Sequence, residues 1–103
     1  MAKLARSFRL RNRTTRDFRE QYARLPESIR QAVRAMAPLF DSNPEHPSFR
    51  SHTLRDTSKS HHVPGSVSIS IVMSYRAIYV VDEDGRNVWY WIGSHADCDK
   101  FIG

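Results

Sequence analysis

Three runs decide the fold: Ser66–Met73 (SVSISIVM), Ser74–Val81 (SYRAIYVV) and Asn87–Gly93 (NVWYWIG). All are rich in Val, Ile, Tyr and Trp, side chains that suit a pleated, half-buried surface. Short polar breaks separate them, the second an acidic turn ending at Gly85. This spacing predicts an antiparallel meander. In the first run Val67, Ile69 and Ile71 alternate with Ser66, Ser68 and Ser70, giving one apolar and one polar face. In the last, Val88, Tyr90 and Ile92 should face one way, with Trp89 and Trp91 the other. A tail follows, with His95, Asp97, Cys98 and Asp99 close together.

The upstream half reads as cover for one face of this sheet. Ser7–Asn12 is a candidate first strand, with Phe8 and Leu10 alternating with Arg9 and Arg11. The same Arg-rich, acid-poor start also loosely fits a transit peptide; the chain is read as cytoplasmic. Thr14-Thr15 before Asp17 is a helix start, a hydroxyl cap with an acid in the first turn. Helix one then runs to about Leu25, buries Phe18, Tyr22 and Leu25, and turns Arg16, Arg19 and Arg24 outward. Pro26 suits a first helical position, where its missing N–H costs nothing. Helix two runs to about Phe40 on a stripe of Ile29, Val33, Met36 and Phe40. Pro38 should kink or loosen its last turn. Asp41–Ser51 is a loop stiffened by two prolines, Thr53–Asp56 a possible short strand, and Thr57–Gly65 a mobile polar turn.

At 103 residues, the chain is expected to be one domain over 1–103. Residues 1–60 hold 13 Lys/Arg against 6 Asp/Glu, a balance of +7; residues 61–103 hold 3 against 5, a balance of −2. A basic face suits a polyanion, whose counterions are released when phosphates are neutralised, but also a solvated helix or an acidic protein. One cysteine excludes an internal disulfide and a zinc site built on several thiolates. His95, Asp97, Cys98 and Asp99 with His52, His61 or His62 offer ligand types, yet their spacing matches no standard zinc motif. No metal and no cofactor are expected. No apolar run approaches the roughly 20 residues of a membrane span.

The order strand, helix hairpin, Asn-Pro loop, meander and His-containing tail resembles the RelE/ParE superfamily of toxins from type II toxin–antitoxin pairs. The resemblance is carried by Phe18, Tyr22, Leu25 and Pro26, then by Asn43, Pro44 and His46–Arg50. Tyr75, Arg76 and Ala77 continue it, and Trp89, Trp91–Ala96, Asp97 and Asp99 complete it. It spans nearly the whole chain from about Ser7. It implies an α+β fold: an antiparallel four-stranded twisted sheet packed on an N-terminal two-helix hairpin, with a short C-terminal helical turn. It also implies a toxin that is monomeric when free and forms a hetero-oligomer with a cognate antitoxin. The RelE branch cuts messenger RNA without metal, often on the ribosome; the ParE branch inhibits DNA gyrase and lacks the nuclease residues. The His-x-Asp-x-Asp tail resembles the nuclease branch. Three positions depart from the pattern of close relatives: His52 stands where Lys is common, Ser70 where Arg is common, and Cys98 where Tyr is common.

Metal-free RNA cleavage uses the substrate's own 2′-hydroxyl as nucleophile. It needs a base for that hydroxyl, a cation for the charge gathering on phosphorus, and an acid for the leaving 5′-oxygen. Histidine suits either proton role, and the planar fork of arginine suits the phosphate. The expected catalytic set is Arg76 as phosphate clamp, His95 as general acid or base, Asp97 to orient His95 or set its protonation, and His52, with His61 or His62 as alternatives, for the second proton role in place of the missing Lys. Arg50, Arg55, Lys59, His61, His62 and Lys100 would bind RNA. Structural roles compete with each of these. Arg76 can pair with Asp82, Asp97 or Asp99, His95 can cap the last turn, and His61 and His62 can be loop residues in solvent. Trp89 and Trp91 suit a core as well as base stacking, and Cys98 a small buried side chain. The N-terminal arginines fit an antitoxin surface as well as an RNA groove. A gyrase inhibitor, or an inactive homologue that only binds antitoxin, is the alternative to a nuclease.

Overall fold

The computed structural model describes residues 11–57, 61–72 and 74–102. In chain order it runs β1 (Asn12–Thr14), α1 (Arg16–Ala23), α2 (Glu27–Ser42), a 3-10 turn (Pro47–Phe49), β2 (His52–Thr53), β3 (Val67–Val72), β4 (Tyr75–Val81), β5 (Asn87–Ser94) and α3 (His95–Ile102). The sheet has five strands in the order β1-β5-β4-β3-β2. Pairing is antiparallel except at β1, which runs parallel to β5. The expected four-stranded antiparallel sheet is thus corrected to a five-stranded mixed one. Its edge strands are only 3 and 2 residues long, too short for alternation to reveal. The expected strand at Ser7–Asn12 lies mostly outside the described residues; the described edge strand begins at Asn12.

The helix hairpin follows from local chemistry. Thr15 caps α1, its Oγ1 accepting from the Phe18 N–H at 3.1 Å. Pro26 sits one residue earlier than expected, at the cap of α2, and its carbonyl accepts from Ile29 and Arg30. The helix continues through Pro38 to Ser42. Pro38 lies on the exposed side, where the carbonyl it releases is open to water. Phe18, Leu25, Ala37 and Phe40 from the hairpin join Phe49, Ile69, Ala77, Tyr79, Trp89 and Ile92 in the main core. Phe40 packs edge-on against Phe49, Tyr79 and Trp89 with centroids 5.1–5.7 Å apart, pairs worth about 0.5–1.5 kcal/mol each beyond area burial.

The opposite face of the sheet is covered too. Cys98, Phe101 and Ile102 of α3 pack on Leu54, Ile78 and Trp91, so the expected short helical turn is a two-turn helix. The two tryptophans do not share a face. Ile78 pairs with Trp91 and Tyr79 with Trp89, so the β5 register slips at Tyr90. One extra residue reverses the alternation that follows it. Trp89 therefore enters the main core and Trp91 the α3 cluster.

Candidate functional site

The serines of the polar face, at the start of β3 and within it, are buried. Ser66 and Ser68 are fully enclosed and Ser70 nearly so. Two rows cross this face. His52, Ser68, Ile78 and Trp91 are successive cross-strand partners, and Ser70, Arg76 and Gly93 form the next row. Arg76 is 8% exposed. Its Nε donates to Ser68 Oγ at 2.7 Å and its Nη1 to Ser70 Oγ at 3.0 Å. Its Nη2 lies 3.3 Å from His52 Nδ1. Among the described residues no carboxylate pairs with it, so the competing ion pairs with Asp82, Asp97 or Asp99 are not formed. A buried charge ordinarily has a counterion; this one is held by neutral groups.

Cys98 lies beneath the same arginine. Burial pushes its thiol up from the ordinary range, while the Arg76 charge and a hydrogen bond to Ser68 act the other way. The thiol is 1% exposed and belongs to the packing. Trp91 shapes the neighbouring row: a Cβ at Gly93 would stand 2.9 Å from its ring. The polar network continues at Ser66, whose Oγ donates to the Val63 carbonyl and meets the Tyr90 hydroxyl.

Beside Ser70 an open depression of about 490 Å³ is lined by Pro47, Ser48, Arg50, Ser70 and Val72. Arg50 adopts a left-handed conformation, φ 45°, ψ 46°, unusual for a residue with a Cβ. Its side chain is exposed and its carbonyl lies 3.3 Å from His52 Nδ1. Arg50, His52 and Arg76 thus meet with two serines at one place.

His95 begins α3 on the other side of Arg76. Tyr75 pairs with Ser94, and the His95 N–H donates to the Ser74 carbonyl at 2.7 Å, fixing the chain where β4 begins. Its imidazole is about half exposed, with Nε2 3.5 Å from Asp99 Oδ2. The carboxylate beside His95 is therefore that of Asp99, one helical turn on. Asp97 is exposed, and its N–H donates to Ser94 Oγ in the first turn of α3. His52 and His95 are three strands apart in the sheet, and His95 also lies four residues beyond Trp91, the β5 residue in the His52 row; Arg76 lies on the strand between β3 and β5.

The remaining basic candidates scatter. Arg55, His61 and Lys100 are exposed; Lys59 lies outside the described residues. His62 is turned inward: its side chain is 2% exposed and its Nε2 lies 3.1 Å from Asp56 Oδ1. A buried, bonded ring corrects the expectation that His62 is a loop residue in solvent. Among the described residues no three metal-ligating side chains are grouped to hold an ion, and no helix is long and apolar enough to cross a membrane. Sequence reasoning assigned no role to Ser68 and treated Ser70 only as a missing arginine. The signal was present: a serine at alternate positions opposite an arginine on the next strand.

No protein-family model matches the sequence, and no curated protein matches it. Solved structures do match. The RelBE2 toxin–antitoxin complex from Mycobacterium tuberculosis contains a chain aligned at TM-score 0.61 and 22% identity, covering 82% of this chain and 95% of that one. The RelB–RelE complex from Methanococcus jannaschii aligns at TM-score 0.64 and 12% identity, covering 88% and 99%. YafQ from E. coli aligns at TM-score 0.62 and 13% identity, covering 84% and 94%. The chain has the RelE-like toxin fold.

Proposed function

We propose that this protein is the toxin of a type II toxin–antitoxin pair and a metal-independent endoribonuclease acting on messenger RNA. One observation carries the reading: a buried guanidinium with no carboxylate partner among the described residues, held by two hydroxyls, one of which lines a depression that Arg50 also lines. Burying a cation costs free energy, and that cost is offset when an anion arrives. Arg76 clamps the scissile phosphate, with Arg50 at the rim. The 2′-oxygen gives up its proton and bonds to phosphorus; the bond from phosphorus to the 5′-oxygen breaks, and that oxygen takes a proton. The products are a 2′,3′-cyclic phosphate and a 5′-hydroxyl. His95 serves one of the two proton steps, with the Asp99 carboxylate 3.5 Å from its Nε2. The chain works as one domain, free or bound by an antitoxin, with the ribosome as the place where message is presented.

A second reading, a gyrase inhibitor or an inactive antitoxin-binding homologue, draws support from Cys98 and Ser70. Both are spent on packing and on holding Arg76. Induced expression separates the readings. Growth arrest with new 5′ ends in cellular messages, abolished by Arg76→Ala or His95→Ala, supports the nuclease. Arrest with intact messages and altered DNA supercoiling supports the gyrase reading. Folded protein without toxicity supports the binding homologue.

A further inference from the structure

We infer that Arg76 fixes the proton of neutral His52 on Nε2, making His52 a hydrogen-bond donor to a phosphoryl oxygen and not the base of the reaction. The role in catalysis rests on Arg76 as the phosphate clamp; the tautomer rests on geometry alone. His52 Nδ1 lies 3.3 Å from Arg76 Nη2 and 3.3 Å from the Arg50 carbonyl. The guanidinium can only donate and the carbonyl can only accept. One nitrogen cannot satisfy both. A proton on Nδ1 would serve the carbonyl and set an N–H against a cation. A lone pair on Nδ1 serves the guanidinium. A charge-assisted hydrogen bond is roughly twice as strong as a neutral one, so the lone pair faces Arg76. Neutral imidazole carries one proton, which is then on Nε2.

The donor count fits an anion. Arg76 has five N–H groups. Nε and one on Nη1 go to Ser68 and Ser70, and one on Nη2 to His52. One remains on each terminal nitrogen, the pair that grips two phosphate oxygens. His52 Nε2–H adds a third donor from the β2 edge. The position that lacks the Lys of the family pattern therefore keeps a donor without a fixed charge.

The test is ring nitrogen-15 NMR of the full chain at a pH where ordinary imidazole is neutral, with His52→Gln used to assign the His52 signals. The expected spectrum has the His52 proton on Nε2 in the wild type and on Nδ1 in Arg76→Met, where the Arg50 carbonyl is the remaining partner. A proton on Nδ1 in the wild type overturns the inference. Cleavage provides the second arm. His52→Ala should lose about 100-fold, as when one oxyanion donor is removed, and His52→Gln, which keeps an N–H near the Nε2 position, should recover at least about tenfold of that loss. His52→Gln as inactive as His52→Ala would make His52 the base and overturn the assigned role. A wild type that binds no RNA and cuts none removes the nuclease reading and the donor role, while the NMR result still decides the tautomer.

Discussion

Replacing Arg76 by Met should leave the fold nearly as stable and remove the activity. The expected balance can be worked from the contacts. Three hydrogen bonds go. Ser70 borders the open depression and His52 is exposed, so water serves both. Ser68 is enclosed, and a stranded hydroxyl costs about 1–3 kcal/mol. Against this, the variant relieves the desolvation of a cation 8% exposed without a carboxylate partner among the described residues, a penalty of several kcal/mol before its hydrogen bonds are counted. Methionine fills the channel of the aliphatic stem and adapts to irregular gaps. The net change should lie within about 1 kcal/mol of zero, with stabilisation the favoured sign. Urea denaturation of both proteins measures it. RNA cleavage should fall by at least about 100-fold. A loss of about 3 kcal/mol or more, the cost of breaking a structural buried pair, would refute the argument that Arg76 is kept for a ligand.

Gly93→Ala should destabilise by about 1–3 kcal/mol: its Cβ would stand 2.9 Å from a Trp91 ring that is 8% exposed and stacked on Phe101. Thermal unfolding should show a lower Tm, and an unchanged one would contradict the packing of α3. Asn12→Ala strands the Trp89 indole N–H, now 2.8 Å from Asn12 Oδ1, and frees the Asn87 amide. It should lower the urea midpoint by about 1–3 kcal/mol equivalent with an unchanged slope. Cys98 should react with a thiol reagent at mildly alkaline pH far more slowly in the native protein than in urea, because burial raises its pKa and reduces the thiolate. Arg76→Met should slow the native reaction further, since the arginine is the charge that opposes the shift.

The parts of the fold with long periodic runs were legible. The helix pair follows from Phe18, Tyr22, Ile29, Val33 and Phe40 at helical spacing, and the meander from three β-rich runs. Short features were not. A three-residue parallel edge at Asn12–Thr14 is set by hydrogen bonds to β5, with no local pattern to announce it. The register slip at Tyr90 is equally silent, and it alone decides that Trp89 and Trp91 part company. At the site, Arg76 and His52 were picked by residue type, but the serines that hold Arg76 read only as a polar face. Alternation reports polarity, and a polar face can be buried when a charged side chain lies across it. His62 was misplaced for a related reason: one loop carboxylate, Asp56, lies beside its ring, a tertiary contact no spacing rule contains.

The most direct test of the account is the chemistry of the cut ends. Purified protein is mixed with messenger RNA, alone and on ribosomes, with Arg76→Met in parallel, and both new termini are identified. The account predicts 2′,3′-cyclic phosphate (or its hydrolysis product) and 5′-hydroxyl ends from the wild type, and neither from the variant. Ends bearing 5′-phosphate, or messages left intact under both conditions, would contradict it.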